Sequence, residues 1–349
     1  MSRPKIAVTM GDPAGIGPEI IIKMFLREKI HRKADVFVIG DLFPLLNAQR
    51  KVSDKIAVHP VLKSKLKNET LKIQNKKFKP LKTKSVINLL DMGNPGMDSV
   101  APGKASKKAG MASYNYIREG IKLAVKGEVD GIVTAPINKH AMHLAGVKHP
   151  GHTEILAKFS KTKDYAMMLA GGGLRVVLVT VHTALKNVPA LINKEKIYSK
   201  IRLAHNALKK DFGIKKPRVA VLGLNPHAGE GGAFGDEEIK HIAPAVKKAV
   251  KQKINAAGPY PPDTVFNRII KNKKFDAAIC MYHDQGLIPL KLYAFETGVN
   301  VTLGLPFVRT SPDHGTAYDI AGTGAASERS IIHAFKAAVE IAKKRKKKK

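Results

Sequence analysis

Three histidines stand where short apolar runs end. His182 closes the run from Arg175 to Val181 (RVVLVTV), His227 follows Arg218 to Leu224 (RVAVLGL) through Asn225-Pro226, and His283 follows Ala277 to Met281 in the segment MYHDQG. Each run reads as a buried strand, bounded by a charge on one side and by Gly, Pro or Asp soon after the other. In a mostly parallel α/β sheet the carboxyl ends of the strands form the crevice where ligands bind, so the three imidazoles can converge there despite their wide spacing. Three neutral imidazoles with an open coordination position make a catalytic divalent-metal site. Taken singly, each histidine reads more readily as a hydrogen-bonded core or rim residue than as a ligand, because long-range spacing lacks the local signature of a zinc finger.

The elements that must position these residues alternate along the chain. Lys5 to Met10 reads as a strand, followed by a tight loop, Gly11 to Glu19 (GDPAGIGPE), opening a helix at Pro18 or Glu19. Its glycines are spaced G-x3-G-x-G, which is neither a Rossmann fingerprint nor a Walker loop. A strand is expected at Asp35 to Ile39, then a lysine-rich excursion from Lys63 to Lys84. Next come a helix from Ala105 to Lys126 and a strand from Gly131 to Thr134. Pro150 to Glu154 (PGHTE) reads as a loop feeding a helix from Thr153. Such a helix start suits a phosphate or carboxylate, and plain capping by Thr153 is the alternative. Helices follow at Lys194 to Phe212, after the glycine-dense loop Ala228 to Gly235 with Asp236, Glu237 and Glu238 in the first turn, and at Glu328 to Lys343. The expectation is a two-lobed α/β fold with a mostly parallel sheet and a central cleft, in which the chain crosses between lobes. The boundaries read as 1–129 plus 265–349 for one lobe and 130–264 for the other.

The chain has 349 residues, 44% of them hydrophobic, and no apolar run of membrane-spanning length, so a cytoplasmic enzyme is the expectation. The single cysteine, Cys280, lies inside the run before His283 and reads as a buried inert thiol. A formal charge of +33 raises a nucleic-acid hypothesis, but the lysines are spread along the chain and no nucleic-acid motif is present. The charge is expected to gather anionic substrates and to bind polyanions in a salt-sensitive, non-specific way.

The segments GDPAGIGPE (11–19), TAPINK (134–139), PGHTE (150–154), LNPHAGEGGAFGDEE (224–238), PPDTVF (261–266), YHDQGLIPLK (282–291) and GVNVTLGLPFVRTSPDHGTAYDIAG (298–322) resemble the 4-hydroxythreonine-4-phosphate dehydrogenase family of vitamin B6 biosynthesis. The resemblance covers nearly the whole chain, in order. It implies a fold like that of isocitrate and isopropylmalate dehydrogenases, which is not a Rossmann fold. It also implies a homodimer in which His182, His227 and His283 bind a divalent metal, one of them supplied across the interface. By the same resemblance His152, Thr153, Lys291, Asn300 and Arg309 bind the substrate, a phosphorylated hydroxy-amino acid whose anionic groups such residues can hold. The segment Asp313 to Gly322 is similar to the adenine and ribose loop of the isocitrate and isopropylmalate enzymes, which implies NAD contacts at His314, Gly315, Thr316 and Asp319.

The activity so implied is NAD-dependent oxidation of 4-phosphooxy-L-threonine at C3, then decarboxylation to 3-amino-2-oxopropyl phosphate. Zinc is the expected metal, with cobalt or magnesium as alternatives. Asp263 and Asp284 lie beside the histidines and can orient them; with Lys291 they are the candidates for the proton acceptor. The nearest alternative keeps fold and cofactor but oxidises 4-phospho-D-threonate or erythronate. A more distant one is a basic polyanion-binding protein on this fold. Neither a specific nucleic acid nor a membrane is an expected partner.

Overall fold

A computed structural model describes residues 2–62, 86–149 and 151–347. The excursion read at Lys63 to Lys84, Pro150 of PGHTE and the last two tail lysines lie outside the described residues. Contacts divide the chain into two compact units, Met1–Thr162 with Leu305–Lys343, and Lys163–Gly304 with Lys344–Lys349.

The first unit begins with strands β1 (Lys5–Thr9), β2 (Asp35–Gly40), β3 (Ala57–Leu62), β4 (Val86–Asp91) and β5 (Gly131–Thr134). Its helices are α1 (Gly17–Arg27), α2 (Ile30–Lys33), α3 (Leu42–Val52), α4 (Lys107–Val125), α5 (Lys139–Leu144) and α6 (His152–Phe159). The second unit holds β6 (Ala166–Gly171), β7 (Leu174–Leu178), β8 (Val219–Leu222), β9 (Ala256–Tyr260), β10 (Ala277–Cys280) and β11 (Val299–Leu303). With them are α7 (Val188–Leu191), α8 (Lys194–Lys210), α9 (Ala243–Lys251), α10 (Pro262–Ile270) and α11 (His283–Ala294). The chain then returns to the first unit through β12 (Val308–Pro312) and α12 (Arg329–Lys346).

In the first unit the strand order is β3-β4-β2-β1-β5-β12, and each described neighbour pair is parallel. In the second it is β11-β6-β7-β10-β8-β9, with β6 antiparallel to both of its neighbours and the remaining pairs parallel. Parallel strands covered on both faces must be apolar throughout. Ile6, Ala7 and Val8 of β1 and Val219 to Leu222 of β8 are accordingly fully buried. The antiparallel turn between β6 and β7 is made by Gly172 and Gly173, both at positive φ, which lets two residues reverse the chain.

The helix expected at Ala105 to Lys126 forms as α4, its first turn capped by Ser106 Oγ accepting from Ala109 N–H. The helix expected after Asp236 begins differently. A π-type turn, Glu238–Ile242, precedes α9, and Glu238 is turned inward and buried. The unit boundaries, at 162/163 and 304/305, fall later than the sequence reading of 129/130 and 264/265. β5 pairs with both β1 and β12, so the segment after residue 130 stays with the first unit. β10 pairs with β7 and β8, so the segment after residue 264 stays with the second. No helix among the described residues is long and apolar enough to cross a membrane.

Candidate active site

In the second unit, the chain beyond β7 stays attached to the end of β10. Val179 N–H donates to Cys280 O at 2.9 Å, Thr180 N–H to Met281 O at 3.1 Å, and Thr180 Oγ1 to the same oxygen at 2.7 Å. The residues that follow these two strand ends, His182 and His283, therefore face one another with ring centroids 5.8 Å apart. A cavity of about 310 Å³ opens there, lined also by Val181, Leu185, Val188 and Tyr282. His283 is the first residue of α11, and its Nδ1 lies 2.7 Å from Asp284 Oδ1. That contact orients the ring and leaves Nε2 for another partner.

Gln285 ties this strand end to the next one. Its Oε1 accepts from Met281 N–H at 2.7 Å, and its Nε2 donates to Gly223 O, just beyond β8, at 2.8 Å. Glu238 does similar work for the loop carrying His227: its Oε1 accepts from the N–H groups of Leu224 (2.7 Å) and Asn225 (2.8 Å), and its Oε2 from Asn225 Nδ2 (2.9 Å). His227 itself is exposed and has a left-handed backbone (φ 52°), as have Ala228 and Glu230, and its ring lies 6.2 Å from that of Phe234. Among the described residues no three His, Cys, Asp or Glu side chains gather as a metal site. One chain thus brings together two of the three candidate histidines and holds the third on a separate loop. Of the two flanking carboxylates, Asp284 touches a histidine; Asp263, exposed in the first turn of α10, bonds to none among the described residues. Lys291, exposed on α11, shares a cavity of about 410 Å³ with His283 and Asp284. Cys280 is fully buried, which pushes its thiol pKa up and keeps it inert.

The first unit holds a cluster of a different kind. Arg309, on β12 and 2% exposed, donates from Nη2 to Thr134 Oγ1 at 2.7 Å. Burial pulls its guanidinium below the ordinary arginine range, partly offset by Glu154. His152 opens α6, whose N-cap is Gly151, with no side-chain cap; capping by Thr153 is thereby excluded as the reason for its place. His152 Nε2 is shut off from solvent and has no hydrogen-bond partner among the described residues. Its desolvation, helped by the Arg309 cation, holds the imidazole pKa well below 6.5. A buried guanidinium, a neutral imidazole and a helix start make a receptor for an oxyanion. Lys291 and Asn300 belong to the second unit, where the Asn300 Oδ1 on β11 is also buried without a partner among the described residues.

Also in the first unit, the loop after β12 leaves His314, Gly315 and Asp319 exposed and Thr316 half-buried. A Cβ on Gly315 would meet nothing within 4 Å, so a ligand can approach the backbone there. The glycines of the GDPAGIGPE loop have another purpose. A Cβ on Gly11 would lie 2.3 Å from Pro136 O, and one on Gly17 2.1 Å from Met10 O. They permit backbone contact within the unit rather than a phosphate cradle.

The sequence matches the family described as "Pyridoxal phosphate biosynthetic protein PdxA" over residues 33–338. The chain belongs to the PdxA family. A curated relative from Desulfosudis oleivorans, named 4-hydroxythreonine-4-phosphate dehydrogenase, is 47% identical over 97% of this chain and 96% of its own length. Another from Salmonella typhimurium, named D-threonate 4-phosphate dehydrogenase, is 40% identical over 98% of this chain and 100% of its own. The crystal structure of the Klebsiella pneumoniae 4-hydroxythreonine-4-phosphate dehydrogenase is similar with a TM-score of 0.85, at 41% identity, covering 97% of this chain and 99% of that one. The mixed α/β fold with its mostly parallel sheet is therefore that of PdxA structures, and the chain's relatives are dehydrogenases.

The donor chemistry fits the cofactors such an enzyme would use. Two facing imidazoles, one oriented by a carboxylate through Nδ1, suit a borderline divalent cation such as zinc. The exposed polar edge of the loop after β12 suits the hydroxyls and amine of an adenosine moiety. Sequence reasoning did not single out Gln285, for Glu238 saw only a helix-start acid, and attached no role to Asp12 or Tyr318. The one available signal was a polar side chain inside an otherwise apolar or glycine-rich motif.

Proposed function

We propose that the chain is an NAD-dependent dehydrogenase that oxidises the C3 hydroxyl of 4-phosphooxy-L-threonine and releases the carboxylate as carbon dioxide, giving 3-amino-2-oxopropyl phosphate for pyridoxal phosphate synthesis. The observation that carries this reading is the buried Arg309 beside Thr134 and the neutral His152, an anion receptor in a family whose relatives bear the corresponding name. When bound, NAD would supply the hydride acceptor and a divalent ion a Lewis acid for the C3 oxygen.

The chain's own residues bind and orient. Arg309, with Thr134 holding one arm of its guanidinium, keeps a fork-shaped cation in place for an oxyanion of the substrate, and His152 Nε2 offers a further polar contact. Thr153, Lys291 and Asn300 complete the proposed substrate set. His182, His227 and His283 would hold the ion, with Asp284 fixing the tautomer of His283. His314, Gly315, Thr316 and Asp319 would contact the dinucleotide. The C3 hydroxyl proton must leave and a proton must return to C2 after carbon dioxide departs. Of the three candidates for this work, Lys291 and Asp284 line one cavity with His283, and Asp284 is already engaged at the His283 Nδ1, so the role falls to Lys291.

The reading includes a homodimer. His227 stands apart from the His182–His283 pair, and large apolar side chains lie exposed beside all three: Leu185 (68%), Phe234 (52%), Ile288 (57%), Leu292 (85%) and Phe295 (76%). A second copy that covers these side chains and delivers its own His227 to the pair would complete the site. The second reading, D-threonate 4-phosphate as substrate, is favoured by the relatives so named. NADH formation measured with both substrates in parallel, with and without a chelator, tests the proposal. Turnover of the amino acid, lost on chelation and restored by zinc, supports it; preference for the threonate moves the substrate, and silence with both sinks the reading.

A further inference from the structure

We infer that Asp12 and Glu19, in the segment after β1, are positioning residues that hold the loop of residues 313–326 in the shape that receives the dinucleotide. The inference rests on the cofactor reading above. The two segments lie about three hundred residues apart in sequence, yet they are joined by side-chain bonds at several points within the first unit. Tyr318 Oη donates to Asp12 Oδ2 at 2.7 Å, while Ala14 N–H donates to Oδ1 at 2.8 Å. Glu19, 2% exposed, uses both oxygens: Oε1 accepts from Gly322 N–H and Oε2 from Gly324 N–H, the latter at 2.8 Å. One helical turn further along α1, Lys23 Nζ donates to Gly324 O at 2.6 Å and Ala326 O at 2.5 Å. Ile16 N–H donates to Thr316 O at 3.1 Å.

Burying two carboxylates is costly unless each is answered by donors. Here Glu19 is answered by two amides of the loop and Asp12 by the loop's phenol besides the Ala14 amide, so the carboxylates and the loop order each other. The bonds all lie on the loop's inner edge. Its outer edge, with His314, Gly315 and Asp319, stays exposed. The loop has neither helix nor strand between Asp313 and Ser327, so its shape depends on its own turns and on such anchors.

Glu19→Gln places an N–H₂ group against an amide N–H, and Tyr318→Phe removes only the hydroxyl. On the full chain, NAD affinity is read by calorimetry, substrate KM by turnover, and loop order by hydrogen exchange of the 313–326 peptides. Both variants are expected to bind NAD about tenfold more weakly. Substrate KM is expected to stay as it is, and exchange to rise in 313–326 while peptides from β1 and β5 stay protected. NAD bound as tightly by both variants as by the unaltered chain overturns this inference alone, as does equal loss of NAD and substrate with exchange raised throughout the unit. Failure of the unaltered chain to bind NAD overturns the cofactor reading and this inference with it.

Discussion

Asp284 Oδ1 sits 2.7 Å from His283 Nδ1, and neighbours in sequence thereby decide which nitrogen of the ring is available to a third group. Asp284→Asn keeps the size but weakens that hold on the tautomer. The expected outcome is a fall in zinc affinity of about 10–100-fold, read by competition with a chromogenic chelator, with kcat at saturating zinc largely retained. Unchanged affinity would mean that the contact is incidental.

Sharing of the site between copies can be read by mixing inactive variants. His227→Ala and His182→Ala should each be inactive alone. Co-refolded, they should form heterodimers in which one of the two sites is intact, so that the mixture regains roughly a quarter of normal activity. His182→Ala mixed with His283→Ala should regain nothing, because those two rings come from one chain. Recovery in the second mixture instead of the first would refute the proposed arrangement.

Removing the buried cation tests the anion receptor. Arg309→Ala should raise KM for the phosphorylated substrate by about ten- to a hundredfold, given 1.5–3 kcal/mol for a hydrogen bond to a charged group. NAD affinity should be little changed. Arg309→Lys is expected to recover little, because an ammonium cannot reproduce the fork. Steady-state kinetics with each ligand varied in turn decides this.

His152 makes a pH prediction whose sign is fixed. Its folded-state pKa lies well below 6.5, because of burial and then Arg309, so the unfolded chain takes up the proton first. Its contribution to stability is complete above pH 6.5 and is lost as pH falls from there toward the folded pKa, by up to about 1.4 kcal/mol per pH unit. Urea midpoints for the unaltered chain should drop in this window. The drop should shrink in His152→Gln, and an identical pH dependence in the two would contradict the assignment.

Much of the scaffold was legible because buried parallel strands are unbroken apolar runs. Gly131 to Thr134 was read to the residue, and α4 and α8 within two residues at each end, since Ser106 and Asn193 are ordinary N-caps. The branch points were not legible. Which unit owns the segment after Thr134 depends on β5 pairing with β12, a contact between residues far apart in sequence. Glu238 read as an acid in a helix's first turn, and only the folded loop reveals three donors waiting for it. The left-handed backbone of His227 and Ala228 could not be read locally either, since positive φ is uncommon for any residue but glycine. The three strand-end histidines were visible, but their division into a pair and a solitary ring required the hydrogen bonds that join β7 to β10.

Gln285 gives that division a mechanical meaning. One amide grips the end of β10 with its oxygen and the end of β8 with its nitrogen, so the bases of the two histidine-bearing segments cannot shift independently. In a symmetric pair of chains each such rigid base would serve both centres, lending two histidines to one and a single histidine to the other. The span of a single side chain would then separate what a chain lends to one centre from what it lends to the other.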